Sequence, residues 1–213
     1  MTPPTADVAP QGRKLGRPAD SDSSDTRERI ISCACNKFAS EGFEGTTNKD
    51  IAAQAGISTA ALYHYFPSKS DLYVAVCEHI TCVFTEVFRV VKENDARLER
   101  RITALLAENG KIGTATPSIV GFITGISAVV KKHPEVARGA DTFNAGFRRL
   151  TFDLIESSTE KDAILAGASV NGFVDLTVAV LAGLGRMSAR GEQDRRDAAV
   201  EMYLQLIRST SRK

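Results

Sequence analysis

Helix start and stop signals follow one another so closely near the N-terminus that only short helices fit between them. Capping residues and apolar residues at helical spacing predict three helices, over residues 25–42, 47–56 and 58–66. Gly56 ends the second helix because glycine readily adopts the left-handed conformation, and Pro67 ends the third. The turn AGIS joins the second and third helices with four residues, one of them a glycine. This arrangement is typical of a helix-turn-helix.

The rest of the chain is predicted to be helical. Ser68 with Asp71 opens a fourth helix over residues 69–92, and its apolar second half predicts that it runs through the body of the protein. Helical patterns also cover residues 95–109, 117–132, 141–157, 160–189 and 194–209. No segment shows sustained alternation, so we expect an all-α protein of about nine helices. Its parts would be a disordered basic arm (1–24), a helix-turn-helix domain (25–72) and a larger helical domain (73–213).

The composition is that of a soluble globular protein. The 213 residues are 43% hydrophobic and 25% charged, with a net charge of +1. This charge gives no general affinity for nucleic acid, so any basic patch must be local. The longest apolar tracts are residues 119–130, too short for a bilayer, and 170–185, which contain Asn171 and Asp175. We interpret both as core helices of a cytoplasmic protein without a membrane span.

Motifs of catalysis are missing from the sequence. It contains no P-loop, no dinucleotide glycine fingerprint, no HExxH and no GxSxG. Cys33 and Cys35, like Cys77 and Cys82, are spaced so that neither pair shares a helix face, which disfavours a metal site. We interpret all four as small buried residues, with a redox sensor as the alternative. We therefore expect neither an enzyme nor a bound metal or cofactor.

Three basic residues lie in the N-terminal arm. Arg13, Lys14 and Arg17 occur in a segment with several prolines and no periodicity, which predicts disorder. They form either a solubilising tail or a flexible arm that contacts DNA.

The run YHY cannot be buried on one helix face. Successive helical residues point about 100° apart, so at least one of Tyr63, His64 and Tyr65 must face outward. Leu62 and Phe66 are four residues apart and would face the core. The rings between them are then free to face a partner.

Two segments carry a resemblance to a known family. The runs EGFEGTTNKDIAAQAGIS and LYHYFPSKSDL resemble the DNA-binding domain of the TetR family of bacterial transcriptional regulators. The match covers about a quarter of the chain, and beyond Leu72 it is only architectural. The resemblance implies a homodimer that binds a palindromic double-stranded DNA operator, most often as a repressor, and is released by a small-molecule effector. A dimeric DNA-binding protein without an effector is the alternative.

The resemblance also implies which residues contact DNA. It places the third helix in the major groove, with further contacts at the starts of the second and fourth helices. The implied contact residues are Thr47, Asn48, Ser58, Thr59, Ala60, Tyr63, His64, Tyr65 and Lys69, with Arg17 added from the arm. At Tyr65 the sequence departs from the family, where histidine is frequent.

The chemistry of these residues agrees with the implied contacts. Lys69 lies in the first turn of a helix, where free backbone N–H groups already favour an anion. Thr59 and Ala60 are short and suit methyls or single polar base edges. The alternatives are a core Tyr63, a solvated His64 and an ordinary surface Lys69. Residues 25–75 contain five Lys/Arg and six Asp/Glu, so positive potential must be local.

Aromatic residues beside aliphatic helix faces suggest an effector pocket in the larger domain. The candidates are Phe84, Phe88, Phe122, Phe143 and Phe147, with Asn171 and Asp175 as polar groups four residues apart on one helix. Asn144 is a further polar residue in apolar surroundings. Such a pocket would take a mainly apolar ligand with one or two hydrogen-bonding groups. The alternatives are core packing for the rings and a buried hydrogen bond or dimer contact for Asp175.

The last two predicted helices are the expected dimer interface. The penultimate one carries small residues that permit close approach, and the last carries an apolar stripe. These residues are Ala179, Ala182, Gly183, Gly185, Ala199, Met202, Tyr203 and Leu206. The alternative is that both sets pack only within one chain.

Overall fold

The computed structural model describes the backbone of residues 19–210 and the side chains from Ser23 onward, so Arg13, Lys14 and Arg17 of the predicted basic arm lie outside the described residues. Its elements are α1 (Ala19–Gly45), α2 (Asn48–Gln54), α3 (Thr59–Tyr65), α4 (Lys69–Asn94), α5 (Leu98–Ala115), α6 (Pro117–Lys132), a 3₁₀ turn (Pro134–Val136), α7 (Ala137–Glu156), α8 (Lys161–Leu165), α9 (Val170–Ala189) and α10 (Gln193–Thr210). The all-α prediction is confirmed, with ten α-helices in this part of the chain.

The additional helix comes from a break within residues 160–189. Ala166 and Gly167 both have positive φ, at 49° and 85°, which ends α8 because an α-helix needs negative φ. Ser169 then caps α9, its hydroxyl accepting a hydrogen bond from the Gly172 amide. The prediction of one helix here is wrong because two successive left-handed residues interrupt the pattern.

The first helix also differs from its prediction. α1 begins at Ala19, so the start expected at Asp25 is wrong and residues 19–24 are helical. Gly42, with φ 74° and ψ 172°, kinks the chain, and helical structure continues to Gly45. The kink turns the end of α1 toward the start of α2.

The predicted helix-turn-helix caps are confirmed. Thr47 forms a capping box with Asp50, and the hydroxyls of Ser58 and Ser68 accept from amides three residues later. Gly56 has φ 69°, as predicted for the residue that ends the second helix.

The burial of α4 differs from the prediction that its second half runs through the body of the protein. Its first half is buried on every side over residues 72–77, whereas its second half buries a single stripe that includes Phe84, Phe88 and Val91. The all-round burial arises where α1 and α6 meet α4. There Tyr73 packs against Phe38 and Phe122, with ring centroids 5.2 and 4.6 Å away. This contact joins the N-terminal helices to the rest of the protein.

The remaining helices form a bundle around α9. α4 packs along α7, and α9 packs against α5, α7 and α10. By length and apolar composition α9 could cross a membrane. In this fold it is a bundle helix, with Val174, Leu181 and Leu184 buried against its neighbours.

Candidate functional site

A tight turn sets the angle between α2 and α3. The Ile57 amide donates to the Ala52 carbonyl at 3.0 Å, and Gly56 supplies the positive φ that the turn needs. Ala52 is buried where the helices meet, and Leu62 is fully buried beneath α3. α3 is thereby held with its opposite face in solvent.

The solvent face of α3 carries the predicted aromatic residues. Tyr63 is 50% exposed and His64 is exposed, and neither side chain has a hydrogen-bond partner among the described residues. Ser58 and Ala60 are exposed and Thr59 is half-buried. The alternative of a core Tyr63 is wrong. Tyr65 differs, because it is half-buried and packs against the hydrophobic core.

At the start of α2 the predicted polar residues are partly engaged. The Thr47 hydroxyl donates to the Asp50 carboxylate, and this hydrogen bond lowers the pKa of Asp50. A phosphate at Thr47 would therefore compete with Asp50 for the hydroxyl proton. Asn48 is half-buried, and its Oδ1 is buried without a hydrogen-bond partner among the described residues.

Lys69 is tied to the end of α1. Its Nζ donates to the Phe43 carbonyl at 2.7 Å and to the Thr46 carbonyl at 3.0 Å, and it lies 4.4 Å from the centroid of the Phe43 ring. Sequence reasoning missed this contact, because its partners are backbone carbonyls 23 and 26 residues earlier. The ordinary-surface alternative for Lys69 is therefore wrong.

Two arginines of α1 contact the helix-turn-helix, and sequence reasoning did not predict either contact. Arg29 Nε donates to the Ala55 carbonyl, at the end of α2, at 2.9 Å. The guanidinium of Arg27 lies 5.2 Å from the centroid of the Phe66 ring. Both contacts bind α1 to the helices that present the exposed face.

A cavity of about 370 Å³ lies in the larger domain, between α4, α5, α6, α7 and α9. Apolar side chains form most of its wall. Its lining residues are Phe84, Asn109, Ile112, Val120, Ile123, Thr124, Phe143, Asn144, Phe147, Val178, Leu181, Ala182, Gly185 and Arg186. The predicted pocket residues Phe84, Phe143 and Phe147 therefore meet at one cavity.

Four other predicted pocket residues do not line this cavity. Phe88 is buried beside it, edge-on to Phe147, and Phe122 packs against Tyr73. Asn171 and Asp175 are exposed, and both accept hydrogen bonds from Arg148 of α7. The Arg148 Nε donates to Asp175 at 2.8 Å and an Nη donates to Asn171 at 3.0 Å. Asp175 is thus paired on the surface, and the alternative of a buried hydrogen bond is wrong.

The polar part of the lining includes residues that sequence reasoning missed. Asn109 donates through Nδ2 to the Leu181 carbonyl at 3.1 Å. Arg186 reaches the cavity from the last turn of α9. Helical periodicity assigns both to faces of their own helices, without showing that those faces meet.

The comparisons with known proteins agree with this architecture. The family model described as bacterial regulatory proteins, tetR family, matches residues 30–76, which span most of α1, all of α2 and α3 and the start of α4. The chain belongs to the TetR family. The fold expected from that resemblance, all-α with an N-terminal helix-turn-helix, is confirmed.

Relatives of this TetR-family chain match mainly through part of their length. The nucleoid occlusion factor SlmA of Haemophilus influenzae is 28% identical over 119 residues, 55% of each chain. The HTH-type transcriptional regulator RutR of Escherichia coli is 38% identical over 72 residues, 34% of each chain. The chain thus spans about half the length of SlmA and a third of RutR.

Several solved structures resemble the whole fold, and one of them serves as an example. The fatty acid degradation regulator FadR of Bacillus halodurans superposes with a TM-score of 0.71, covering 91% of this chain and 96% of its own. The sequence identity is 18%, so this likeness concerns the fold alone.

Some of the residues predicted for the dimer interface of this TetR-family chain lie on the outer faces of α9 and α10, and others face inward. Leu176, Met202 and Leu206 are 51%, 57% and 60% exposed. Ala179 and Ala182 are exposed, and a Cβ at Gly183 would meet no atom within 4 Å. Tyr203 and Gly185 face inward instead. The Tyr203 hydroxyl is 3.0 Å from Thr177 Oγ1, and Gly185 is buried near Asn109.

The His, Cys, Asp and Glu side chains of the described residues form no candidate metal site. Within residues 19–210, no group of three or more His, Cys, Asp or Glu is placed to hold an ion. Cys35 and Cys77 are buried, Cys33 is half-buried and Cys82 is exposed. The prediction that all four cysteines are buried is wrong for Cys82, which lies on the outer side of α4.

Proposed function

We propose that this protein is a cytoplasmic transcriptional regulator that binds operator DNA as a homodimer and is released by a small, mainly apolar ligand. The observation that carries the proposal is the outward face of α3. Tyr63 and His64 are exposed there without a partner among the described residues, on a helix that packs on the core through the fully buried Leu62. An exposed aromatic residue on a rigid surface helix indicates a binding surface. Membership in a family of bacterial regulators supports DNA as the partner.

The size of α3 suits the major groove. A recognition helix reads base edges through its first residues, which here are Thr59 and Ala60. Their short side chains favour contacts with thymine methyls or single polar edges. Tyr63 and His64 follow in the next turn, where a phenol and an imidazole can donate to phosphates. Lys49, exposed on α2, supplies a cation on the helix-turn-helix surface.

A dimer is required for selective binding, because one short helix contacts few base pairs. Two-fold dimers place two recognition helices about one turn of DNA apart. The exposed apolar stripe formed by Leu176, Met202 and Leu206 offers a self-complementary surface on the side of α9 and α10. Ala179 and Gly183, which lie beside Leu176, permit close helix approach.

Two helices that form the cavity wall, α4 and α6, also contact the N-terminal helices. Phe84 lies on α4, the helix that begins at Lys69, and Val120 lies on α6. α6 packs along α1, where a Cβ built on Gly121 would come within 3.2 Å of the Ala39 Cβ. A ligand that shifts α4 or α6 would therefore move the recognition helices. A coupling of about 1–3 kcal/mol changes DNA affinity by roughly 5–150-fold.

A dimeric DNA-binding protein without an effector is the second candidate. The similarity to SlmA favours it, since that relative's name describes nucleoid occlusion and not transcription. The cavity of about 370 Å³ favours the ligand-responsive form.

The test begins with selection of random-sequence duplexes on the purified protein. We expect enrichment of a palindromic site, and binding to this site in a fluorescence anisotropy assay. Ligands from a metabolite panel that raise the melting temperature are then added to the complex, and at least one should weaken it. No enriched sequence would refute DNA recognition. An enriched site that no stabilising ligand affects would favour the second candidate.

A further inference from the structure

Two arginines near the C-terminal end of α9 have no partner in the described part of the chain. Arg186 and Arg190 are one helical turn apart, and neither guanidinium has an ion pair or a hydrogen bond to a described residue. By contrast, Arg148 and Arg89 are ion-paired. Two like charges one helical turn apart on an exposed helix face make that face favourable for an anion.

These arginines border the cavity already described. Arg186 lines it, and also lines an adjoining groove of about 440 Å³ whose wall includes Arg190. Val120 and Thr124, like Arg186, line both spaces, so the cavity and the groove adjoin each other. No Asp or Glu lines either one. The combined site therefore has an apolar end, formed by three phenylalanines, and a positively charged end.

We propose that the ligand is an amphipathic organic anion, with its apolar part in the cavity and its carboxylate or phosphate between Arg186 and Arg190. The guanidinium fork matches both anions because it donates two parallel hydrogen bonds. The cavity volume of about 370 Å³ is within the range of small-molecule sites and can take the apolar part of such a ligand. This inference rests on the ligand response of the proposed function and specifies its chemistry.

The groove also explains how the anionic group could act on DNA binding. Gly121 and Gly125 of α6 form part of its wall, opposite the two arginines of α9. An anion that draws Arg186 and Arg190 inward would pull the end of α9 toward α6. Because Gly121 sits close to Ala39 of α1, a movement of α6 would be passed to α1, which packs on α2 of the helix-turn-helix.

Calorimetry with three probes of equal chain length tests the proposal. Dodecanoate, dodecyl phosphate and dodecan-1-ol are titrated below their aggregation concentrations into the full chain, with circular dichroism to verify that it stays folded. We expect at least one anion to bind tenfold or more tightly than the alcohol. Preference between the two anions identifies carboxylate or phosphate as the head group.

Variants separate the charged end from the apolar end. Arg186→Gln with Arg190→Gln should reduce the preference for the anion to less than threefold, whereas Arg138→Gln, an exposed arginine of α7 outside the site, should leave it unchanged. Ala182→Phe, at the exposed edge of the cavity, should weaken all probes.

The outcomes separate this proposal from the proposed function. Equal binding of anion and alcohol, an undiminished preference in the double variant, or no binding of any probe would overturn the anion site. An anion that binds with the expected preference but leaves operator affinity unchanged would support the site and refute the ligand response.

Discussion

Lys69 and Phe43 are joined twice, through a hydrogen bond of 2.7 Å from the ammonium to the Phe43 carbonyl and through the ring, whose centroid lies 4.4 Å from Nζ. The same ammonium donates to the Thr46 carbonyl. These carbonyls lie at the end of α1, where a helix leaves acceptors unsatisfied and favours a cation. The first residue of α4 thus fixes the corner between α1 and α2.

Replacement of this lysine should destabilise the helix-turn-helix. Lys69→Met keeps an apolar side chain of similar length but leaves two part-buried carbonyls without their donor. We expect the free energy of unfolding in urea to fall by about 1–3 kcal/mol. Lys49→Met, at an exposed position on α2, is the control and should change it by less than about 0.5 kcal/mol. Equal stability of both variants would show that the clamp contributes nothing.

Neighbouring residues of α3 should separate DNA affinity from stability. Tyr63→Ala removes a half-exposed ring, so we expect the free energy of unfolding to change by less than about 0.5 kcal/mol while operator affinity falls at least tenfold. Leu62→Ala empties a fully buried position and should cost about 2–5 kcal/mol of stability. Anisotropy and urea unfolding measure the two effects. An unchanged operator affinity for Tyr63→Ala would exclude this ring from the interface.

Charge on the outer face of α10 should prevent dimerisation. Leu206 is 60% exposed, so Leu206→Glu is tolerated in a monomer but buries a carboxylate in any interface formed there. Sedimentation at micromolar concentration should show the wild type as a dimer and the variant as a monomer with unchanged helix content. Val90→Glu places the same charge at another exposed apolar position, on α4, and should remain dimeric. A dimeric Leu206→Glu protein would place the interface elsewhere.

The cysteines should differ widely in reactivity. Burial raises the pKa of Cys35 to about 11 and that of Cys77 to about 12, so both thiols stay protonated in the folded protein. Cys82 is exposed and should be modified first by a disulfide reagent at pH 8, with Cys35 and Cys77 reacting only on unfolding. Mass spectrometry of the labelled protein identifies the order. Early modification of Cys77 would contradict it.

The same shifts predict how stability depends on alkaline pH. An unfolded thiol ionises near its ordinary pKa of about 8.5, while the folded thiols keep their protons to higher pH. The contribution of the protonated, buried thiols to the free energy of unfolding is therefore complete below about pH 8.5. It is lost progressively as the pH rises toward 11, because the unfolded thiols ionise first. The melting temperature of the wild type should fall over this interval. A Cys35→Ala, Cys77→Ala protein should show a shallower decline, and an equal decline would remove the thiols as its cause.

Local signals in the sequence were reliable where the structure depends on neighbouring residues. The caps at Thr47, Ser58 and Ser68 and the turn at Gly56 were predicted because each involves contacts within a few residues. The start of α1 was wrong, although a capping box is also a local signal. A capping-box pattern such as Asp25 with Glu28 is compatible with a helix start, but the residues before it decide where the helix begins.

Contacts between distant helices could not be predicted in the same way. Periodicity identified Phe122 and Phe143 as apolar positions. Only the packing of α6 on α1 places Phe122 at the contact with the N-terminal helices, and only the packing of α7 on α4 and α9 places Phe143 at the cavity. Asp175 would have been costly to bury without a partner, but it lies on the surface and pairs with Arg148 of another helix. Sequence patterns show which face is apolar and leave open which neighbour covers it.

Two glycines of α6 offer a matched test of the contact between α1 and α6. A Cβ at Gly125 would meet no atom within 4 Å, so Gly125→Ala should stabilise the helix by about 0.5–1 kcal/mol. A Cβ at Gly121 would lie 3.2 Å from the Ala39 Cβ, so Gly121→Ala should gain less because α1 must move by a few tenths of an ångström. That movement should also change operator affinity in Gly121→Ala and leave Gly125→Ala unaffected. Urea unfolding and anisotropy of both proteins measure the difference, and equal behaviour of the two variants would show that the contact is not transmitted to DNA binding.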